Sequence, residues 1–145
     1  MIKISRLADY ALVILNDLAL HPQHPYSATV LAQRTGIALP TVSKVLKLLN
    51  EAAVTASSRG ANGGYRLVKA PNALSITEVI AAIDGKPALT ECCQADARCV
   101  HDARCALRSN WRVINHIITK ILSQFTLADL QHPSALKEFE SRYAE

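Results

Sequence analysis

The sequence has few aromatic residues, no long apolar run and no cysteine outside one short stretch. Each shortage narrows what the chain can be. Aromatics make up 5% of 145 residues, so a core drawn from the 50% that are hydrophobic is an aliphatic one. No stretch approaches the roughly 18 apolar residues of a membrane-spanning helix, which excludes a helical membrane protein. The opening MIKISRLADYALVIL starts basic and turns apolar as a signal peptide does. Asp9 and Asp17 interrupt it, however, and no small-residue cleavage site follows. It reads as an amphipathic helix of a cytoplasmic protein. A Gly-rich phosphate loop is also missing, because RGANGG lacks the Walker pattern. A Cys99/His101 pair is the nearest thing to a nucleophile and base, and nothing orients it. The chain reads as a non-enzyme with no small-molecule substrate.

The charge is unevenly spread. Residues 1–70 hold eight Lys/Arg against three Asp/Glu, a balance of +5, and residues 71–145 hold eight against nine, a balance of −1. The whole basic excess therefore lies in the N-terminal half, where it attracts a polyanion through counterion release.

Periodicity divides the chain into short helices and one hairpin. Ile4, Leu7, Ala8, Ala11, Leu12, Leu15, Leu18 and Ala19 recur at helical period. HPQHP at 21–25 ends that helix, since proline cannot continue it. Ser27 caps a second helix over 28–35, which Gly36 closes. Pro40 opens a third at its first position. Val42, Val45, Leu46 and Leu49 line one face of that helix, leaving Thr41, Ser43, Lys44 and Lys47 on the other. Two short helices across a Gly-containing turn make a helix-turn-helix. Residues 54–58 and 65–69 read as strands joined by RGANGG, with Asn62-Gly63 as the turn signal, a hairpin placed where a wing belongs. Ser75-Ile76-Thr77-Glu78 is a capping box for a helix through Ile83, closed by Gly85. Residues 86–105 read as a loop. Residues 106–124 are helical, with Leu107, Trp111, Ile114, Ile118, Ile121, Leu122 and Phe125 on one stripe. Thr126 caps a last short turn, and the charged tail after Pro133 is helical or frayed.

The predicted fold is mainly α with a small β-hairpin wing: a winged helix-turn-helix plus a long dimerisation helix. The expected divisions are a DNA-binding domain at 1–85, a cysteine-rich loop at 86–105, a dimerisation helix and cap at 106–130, and a tail at 131–145. A helix fits the major groove, so Thr41, Ser43, Lys44 and Lys47 are candidates for reading double-stranded DNA. Arg59, Gly60, Asn62 and Arg66 are the wing candidates. A glycine-rich tip lets backbone approach a sugar–phosphate edge, and an Arg there suits a narrow minor groove.

All four cysteines fall between 92 and 105, with five residues separating Cys93 from Cys99 and Cys99 from Cys105. Thiols that stay reduced in the cytosol and cluster this closely bind metal or respond to redox change rather than staple a fold. Thiolates are soft ligands for iron–sulfur clusters, zinc or copper(I). Zinc knuckles are tighter than this spacing, and wider loops can wrap a cluster. Arg98, Arg104 and Arg108 among the thiols favour the thiolate form. A cluster ranks first, zinc and a metal-free thiol–disulfide switch follow, and inert cysteines stay open. Three cysteines leave a ligand position for Asp9, His101 or Cys92. Cys92 adjoins Cys93 and reads better as a spare or redox thiol.

Taken together, ISRLADYALVIL, LAQRTGIALPTVSKVLKLL, RGANGGYRL, SITEVIAAIDG, the cysteine triad and FTLADL resemble the bacterial winged-helix iron–sulfur regulators that include IscR and NsrR. The likeness spans residues 1 to about 130 and looks nearest to the regulator of the SUF cluster-assembly system. It implies a homodimer crossing through helix 106–124, a pseudo-palindromic operator, and a two-iron or four-iron cluster on Cys93, Cys99 and Cys105. IscR-like members carry a His three residues after the last cysteine, where this chain has Arg108. NsrR-like members use an Asp of the first helix, reaching the partner's cluster; here that position is Asp9. The resemblance thus implies a cluster-controlled repressor of cluster-assembly genes, or within the same family a nitric-oxide sensor.

Overall fold

The structure is a computed structural model that describes residues 3–94, 99 and 104–141. Its helices are α1 (Arg6–Leu20), α2 (Ala28–Thr35), α3 (Leu39–Glu51), α4 (Ile76–Asp84), α5 (Arg108–Leu122), α6 (Leu127–Gln131) and α7 (Pro133–Ser141). Strands β1 (Thr55–Ser58) and β2 (Gly64–Leu67) form a two-stranded antiparallel hairpin between α3 and α4. The fold is the mainly helical winged helix-turn-helix that the periodicity implies.

The core is aliphatic, as the shortage of aromatics dictates. Ala11, Ile14, Leu15 and Leu18 of α1 meet Leu31 of α2 and Val42, Val45, Leu46 and Leu49 of α3. Ile14 belongs to this core although the expected apolar set omitted it, whereas Ile4 precedes the helix and is exposed. Ser5 caps α1 by accepting from Ala8 N at 3.1 Å and donates to Asp84 Oδ1 at 2.7 Å. One hydroxyl thus ties the start of α1 to the end of α4.

Helix α3 starts one residue earlier than the sequence suggests. Leu39 is its first residue, so Pro40 takes the second position, where its missing N–H is equally harmless. Its C-terminus is a Schellman motif: Val54 N donates to Leu49 O at 2.9 Å and Ala53 N to Asn50 O at 3.1 Å. Ala53 holds the left-handed position with φ 56°, where glycine is usual.

The chain after α5 returns to the winged-helix body. Ser75 and Thr126, each the N-cap of its own capping box, form an antiparallel bridge. Around it Ile76 N donates to Phe125 O at 2.9 Å and Leu127 N to Leu74 O at 2.9 Å. Leu127 is fully buried in the main core. The tail is helical through Ser141, and Phe139 meets Phe125 edge-on with ring centroids 4.5 Å apart.

Candidate nucleic-acid interface and cysteine arm

The outward face of α3 follows from what its inward face buries. Val42, Val45, Leu46 and Leu49 are wholly buried, so helical geometry turns Ser43, Lys44 and Lys47 to solvent and leaves Thr41 half-buried. The preceding turn fixes the angle of α3. Gly36 closes α2 in the left-handed region at φ 72° and donates to Ala32 O at 3.0 Å, while Thr35 Oγ1 donates to Leu31 O at 2.7 Å. Lys47 reaches only a loose contact with Glu51 at 3.9 Å, both side chains being well exposed. Its ammonium stays available to a polyanion.

The Schellman turn delivers the chain directly from α3 into the wing. Thr55 pairs with Leu67 and Ser58 with Gly64, and Val68 N donates to Val54 O at 3.1 Å to close the base. The tip is the five-residue loop 59–63, one residue shorter than the RGANGG connection expected between the strands. Gly63 N donates to Gly60 O at 2.9 Å, and Gly60 rather than Asn62 takes the positive φ, at 109°. Arg59, Gly60 and Asn62 are exposed at this tip, and Arg66 is exposed on β2 opposite Ala56.

Sequence reasoning missed what holds the wing. Tyr26, just ahead of α2, forms an isolated antiparallel bridge with Tyr65 of β2. Tyr26 in turn lies under the Arg34 guanidinium, 4.9 Å from ring centroid to Cζ, and Arg34 pairs with Asp17 at 3.1 Å and contacts His21. Wing, α2 and α1 are therefore joined through one polar cluster. The base of the wing is joined to α4 through Lys69 and Glu78, whose carboxylate is held below its usual pKa by Lys69 and by the Ser75 backbone amide.

The cysteine arm is built against α5. Asn115 clamps its start, accepting from Leu89 N at 2.9 Å and donating to Pro87 O at 3.3 Å. A 3-10 turn, Glu91–Cys93, follows. Thr90 Oγ1 contacts Cys92 Sγ at 3.1 Å and Cys93 Sγ at 3.3 Å. Cys93 Sγ lies 3.5 Å from Trp111 O, and Arg112 Nε donates to Cys92 O at 3.4 Å. All four cysteines are free thiols and half-buried. Among the described residues, no three His, Cys, Asp or Glu side chains are gathered to hold a metal ion. Asp9 is exposed in the first turn of α1. His101 lies outside the described residues.

Helix α5 meets its own chain through Asn115 and Thr119 along its length and through Leu122 at its end, and leaves most of its apolar residues exposed. Asn115 and Thr119 are half-buried beside α4, whereas Trp111, Val113, Ile114, Ile117 and Ile118 are 36–58% exposed. The expected stripe omitted Val113 and Ile117, which widen it. Only Ile121, Leu122 and Phe125 at its end are half-buried, Leu122 and Phe125 against Ala8, Ile76 and Ile80. No helix among the described residues is long and apolar enough to cross a membrane.

Comparison with known proteins agrees with this architecture. IscR of Vibrio campbellii is 32% identical over 141 residues, covering 97% of this chain and 83% of that one. Protein rrf2 of Nitratidesulfovibrio vulgaris is 30% identical over 135 residues, covering 92% and 90%. Among solved structures, CymR, the global cysteine regulator of B. subtilis, superposes with a TM-score of 0.70 at 29% identity over 90% of this chain and 96% of its own. IscR of T. potens gives a TM-score of 0.68 at 25% identity, covering 92% and 88%. These relatives are regulators of transcription and not enzymes. The family model Rrf2, described as iron-dependent transcriptional regulator, matches residues 4–133, and the chain belongs to that family.

Proposed function

We propose that this chain is a cytoplasmic, homodimeric DNA-binding repressor whose grip on a pseudo-palindromic operator is set by an iron–sulfur cluster. The observation that carries the DNA reading is the division of α3: four wholly buried aliphatic residues on one side, and Ser43, Lys44 and Lys47 exposed on the other. In this reading Thr41, Ser43, Lys44 and Lys47 meet the major groove. Arg59, Gly60, Asn62 and Arg66 follow the adjoining backbone and minor groove. The exposed apolar face of α5 crosses its mate and sets two recognition helices at one spacing.

The donor set fits a cluster by its chemistry. Cys93, Cys99 and Cys105 offer three soft, reduced thiols, and Asp9 of the partner subunit offers a hard oxygen. A mixed set of this kind holds one iron weakly, which suits a labile sensor. When bound, the cluster supplies an iron centre open to oxidation or nitrosylation, and its regulon is cluster-assembly genes. The residues of the chain transmit its state. Asn115 holds the start of the arm on α5, and Ser5 ties α1 to α4, so a ligand bridging the arm and α1 biases how the two halves of the dimer sit.

The test is anaerobic purification with iron counting, visible and electron-paramagnetic spectra, and operator binding before and after cluster loss. The expected result is visible absorption that Asp9→Ala perturbs and Cys92→Ala leaves nearly intact, with operator affinity changing on cluster loss. Protein without iron or visible absorption overturns the cluster. A thiol titration that changes with reductant while DNA binding follows it then identifies a thiol–disulfide switch.

A further inference from the structure

We propose that Cys92 and Cys93 form a chelating dithiol for a trivalent thiophilic metalloid of the arsenite class. Neighbouring side chains on a short turn ordinarily diverge. Here both sulfurs contact one atom, Thr90 Oγ1, at 3.1 and 3.3 Å, so both lie on the Thr90 side of the Glu91–Cys93 turn, within reach of one bridging atom. The pair is anchored as a unit: Cys93 Sγ reaches Trp111 O, and Arg112 Nε donates to Cys92 O. Both thiols are reduced and half-buried, so they are reachable without unfolding the arm.

The geometry also selects the kind of ligand. Structural zinc needs four donors and an octahedral cation more, and the described residues gather no group of three. A pyramidal trivalent arsenic needs only two thiolates at a narrow bite, its third position filled by hydroxide or an aryl group. With arsenous acid, two S–H and two As–O bonds break, two As–S bonds form and two waters leave. Arsenic stays trivalent, so no oxidant or reductant is required. Where Cys93 also serves a cluster, as proposed above, uptake removes one of its ligands. The dithiol itself does not depend on that reading.

The experiment adds phenylarsine oxide to the full-length protein, then passes it through a desalting column containing excess monothiol and counts retained arsenic. Iron is counted in the same fractions. The arsenical loses its oxygen as one water when it closes on two thiols. A two-point attachment outlasts a single one by roughly 10²-fold or more, so the wild-type chain retains one arsenical and releases it to a small dithiol. Cys92→Ala and Cys93→Ala lose that retention by a similar factor, whereas Cys99→Ala and Cys105→Ala keep it. Thr90→Val, which leaves both thiols in place, weakens retention without abolishing it. Wild-type retention in Cys92→Ala, loss of retention in Cys99→Ala, or no uptake by wild-type chain from which iron has first been removed by a chelator overturns the assignment.

Discussion

Tyr26 and Tyr65 exchange two backbone hydrogen bonds, Tyr26 N to Tyr65 O at 3.0 Å and Tyr65 N to Tyr26 O at 2.9 Å. The wing is therefore held by the segment that leads into α2 as well as by its own hairpin. A hairpin of two short strands is marginal by itself, so this third segment is what gives the wing a fixed angle to α3. Gly64 makes the approach possible. A Cβ there would meet the Tyr26 backbone C, O and N at 2.5, 2.6 and 2.8 Å. Gly64→Ala must part the two segments. The expected outcome is a loss of about 1–3 kcal/mol in denaturant unfolding and a larger proportional loss of operator affinity, because the wing no longer tracks α3. Operator affinity equal to wild type in a destabilised Gly64→Ala protein contradicts the coupling.

The lysines of α3 make a separable prediction. Lys44 and Lys47 are exposed on a helix whose other face is core, so replacing them leaves packing untouched. Each phosphate contact contributes about one unit to the slope of log affinity against log salt. Lys44→Ala and Lys47→Ala each lower that slope by about one unit per protomer, about two for a dimer on its operator, if they contact phosphate. A base contact instead relaxes sequence preference at one position and leaves the slope unchanged. Anisotropy titrations on specific and scrambled duplexes at several salt concentrations separate the two outcomes.

What could be read from sequence follows which interactions are local. The buried faces of α1 and α3, the Ser27, Ser75 and Thr126 caps and Gly36 are all written in short-range periodicity or in one residue's backbone preference. Features that rest on distant or atypical partners were not legible. Ala53 ends α3 in a left-handed conformation without the glycine that marks such an end. Tyr26 and Tyr65 stand far apart in sequence, and their bridge uses only backbone atoms that every residue has. Val113 and Ile117 lie beyond the stripe that a core-facing helix would show, because that side of α5 does not face its own core. In the candidate site, the exposed face of α3 and the place of the wing could be read directly, whereas the positive φ at Gly60 and the Thr90 and Asn115 contacts needed the fold.

Ala53 offers a stabilising test of that account. A non-glycine residue in the left-handed region costs roughly 1–2 kcal/mol, and glycine gives back part of this through greater freedom in the unfolded chain. Ala53→Gly is expected to raise stability by about 0.5–1 kcal/mol with operator binding unchanged. A lower melting temperature for Ala53→Gly contradicts the Schellman assignment.

The Lys69–Glu78 pair gives a pH dependence with a defined sign. Glu78 has a folded-state pKa below its reference value of 4.5, held down first by the Lys69 hydrogen bond. The pair's contribution is therefore complete above pH 4.5 and is lost as pH falls through the lower folded value. Both side chains are partly exposed, so the contribution is within about 1 kcal/mol. Glu78→Gln keeps a capping side chain and removes the charge. Its stability deficit against wild type is expected at neutral pH and to vanish once the wild-type carboxyl is protonated. A deficit that stays constant across the acid range contradicts the assignment.

Helix α5 carries the last prediction. Along most of its length α5 turns Asn115 and Thr119 toward its own chain and leaves Val113 and Ile117 well exposed, at 58% and 50%, unlike a helix built to close a monomer. A contiguous apolar face of this kind, standing clear of the core, marks an interface. With a second copy as occupant, a carboxylate at its centre is desolvated without a partner, at a cost of several kcal/mol. Ile117→Asp is therefore expected to shift sedimentation from dimer to monomer while far-ultraviolet circular dichroism and the melting of the α1–α3 core are preserved. Operator affinity falls with it, because half-sites are then bound singly. Leu127→Ala supplies the contrast. Leu127 is wholly buried where α6 returns to the core, so its truncation lowers stability by about 2–5 kcal/mol and leaves the dimer of the folded protein intact. An Ile117→Asp protein that stays dimeric, or a wild-type chain that sediments as a monomer at micromolar concentration, removes α5 as the dimer interface.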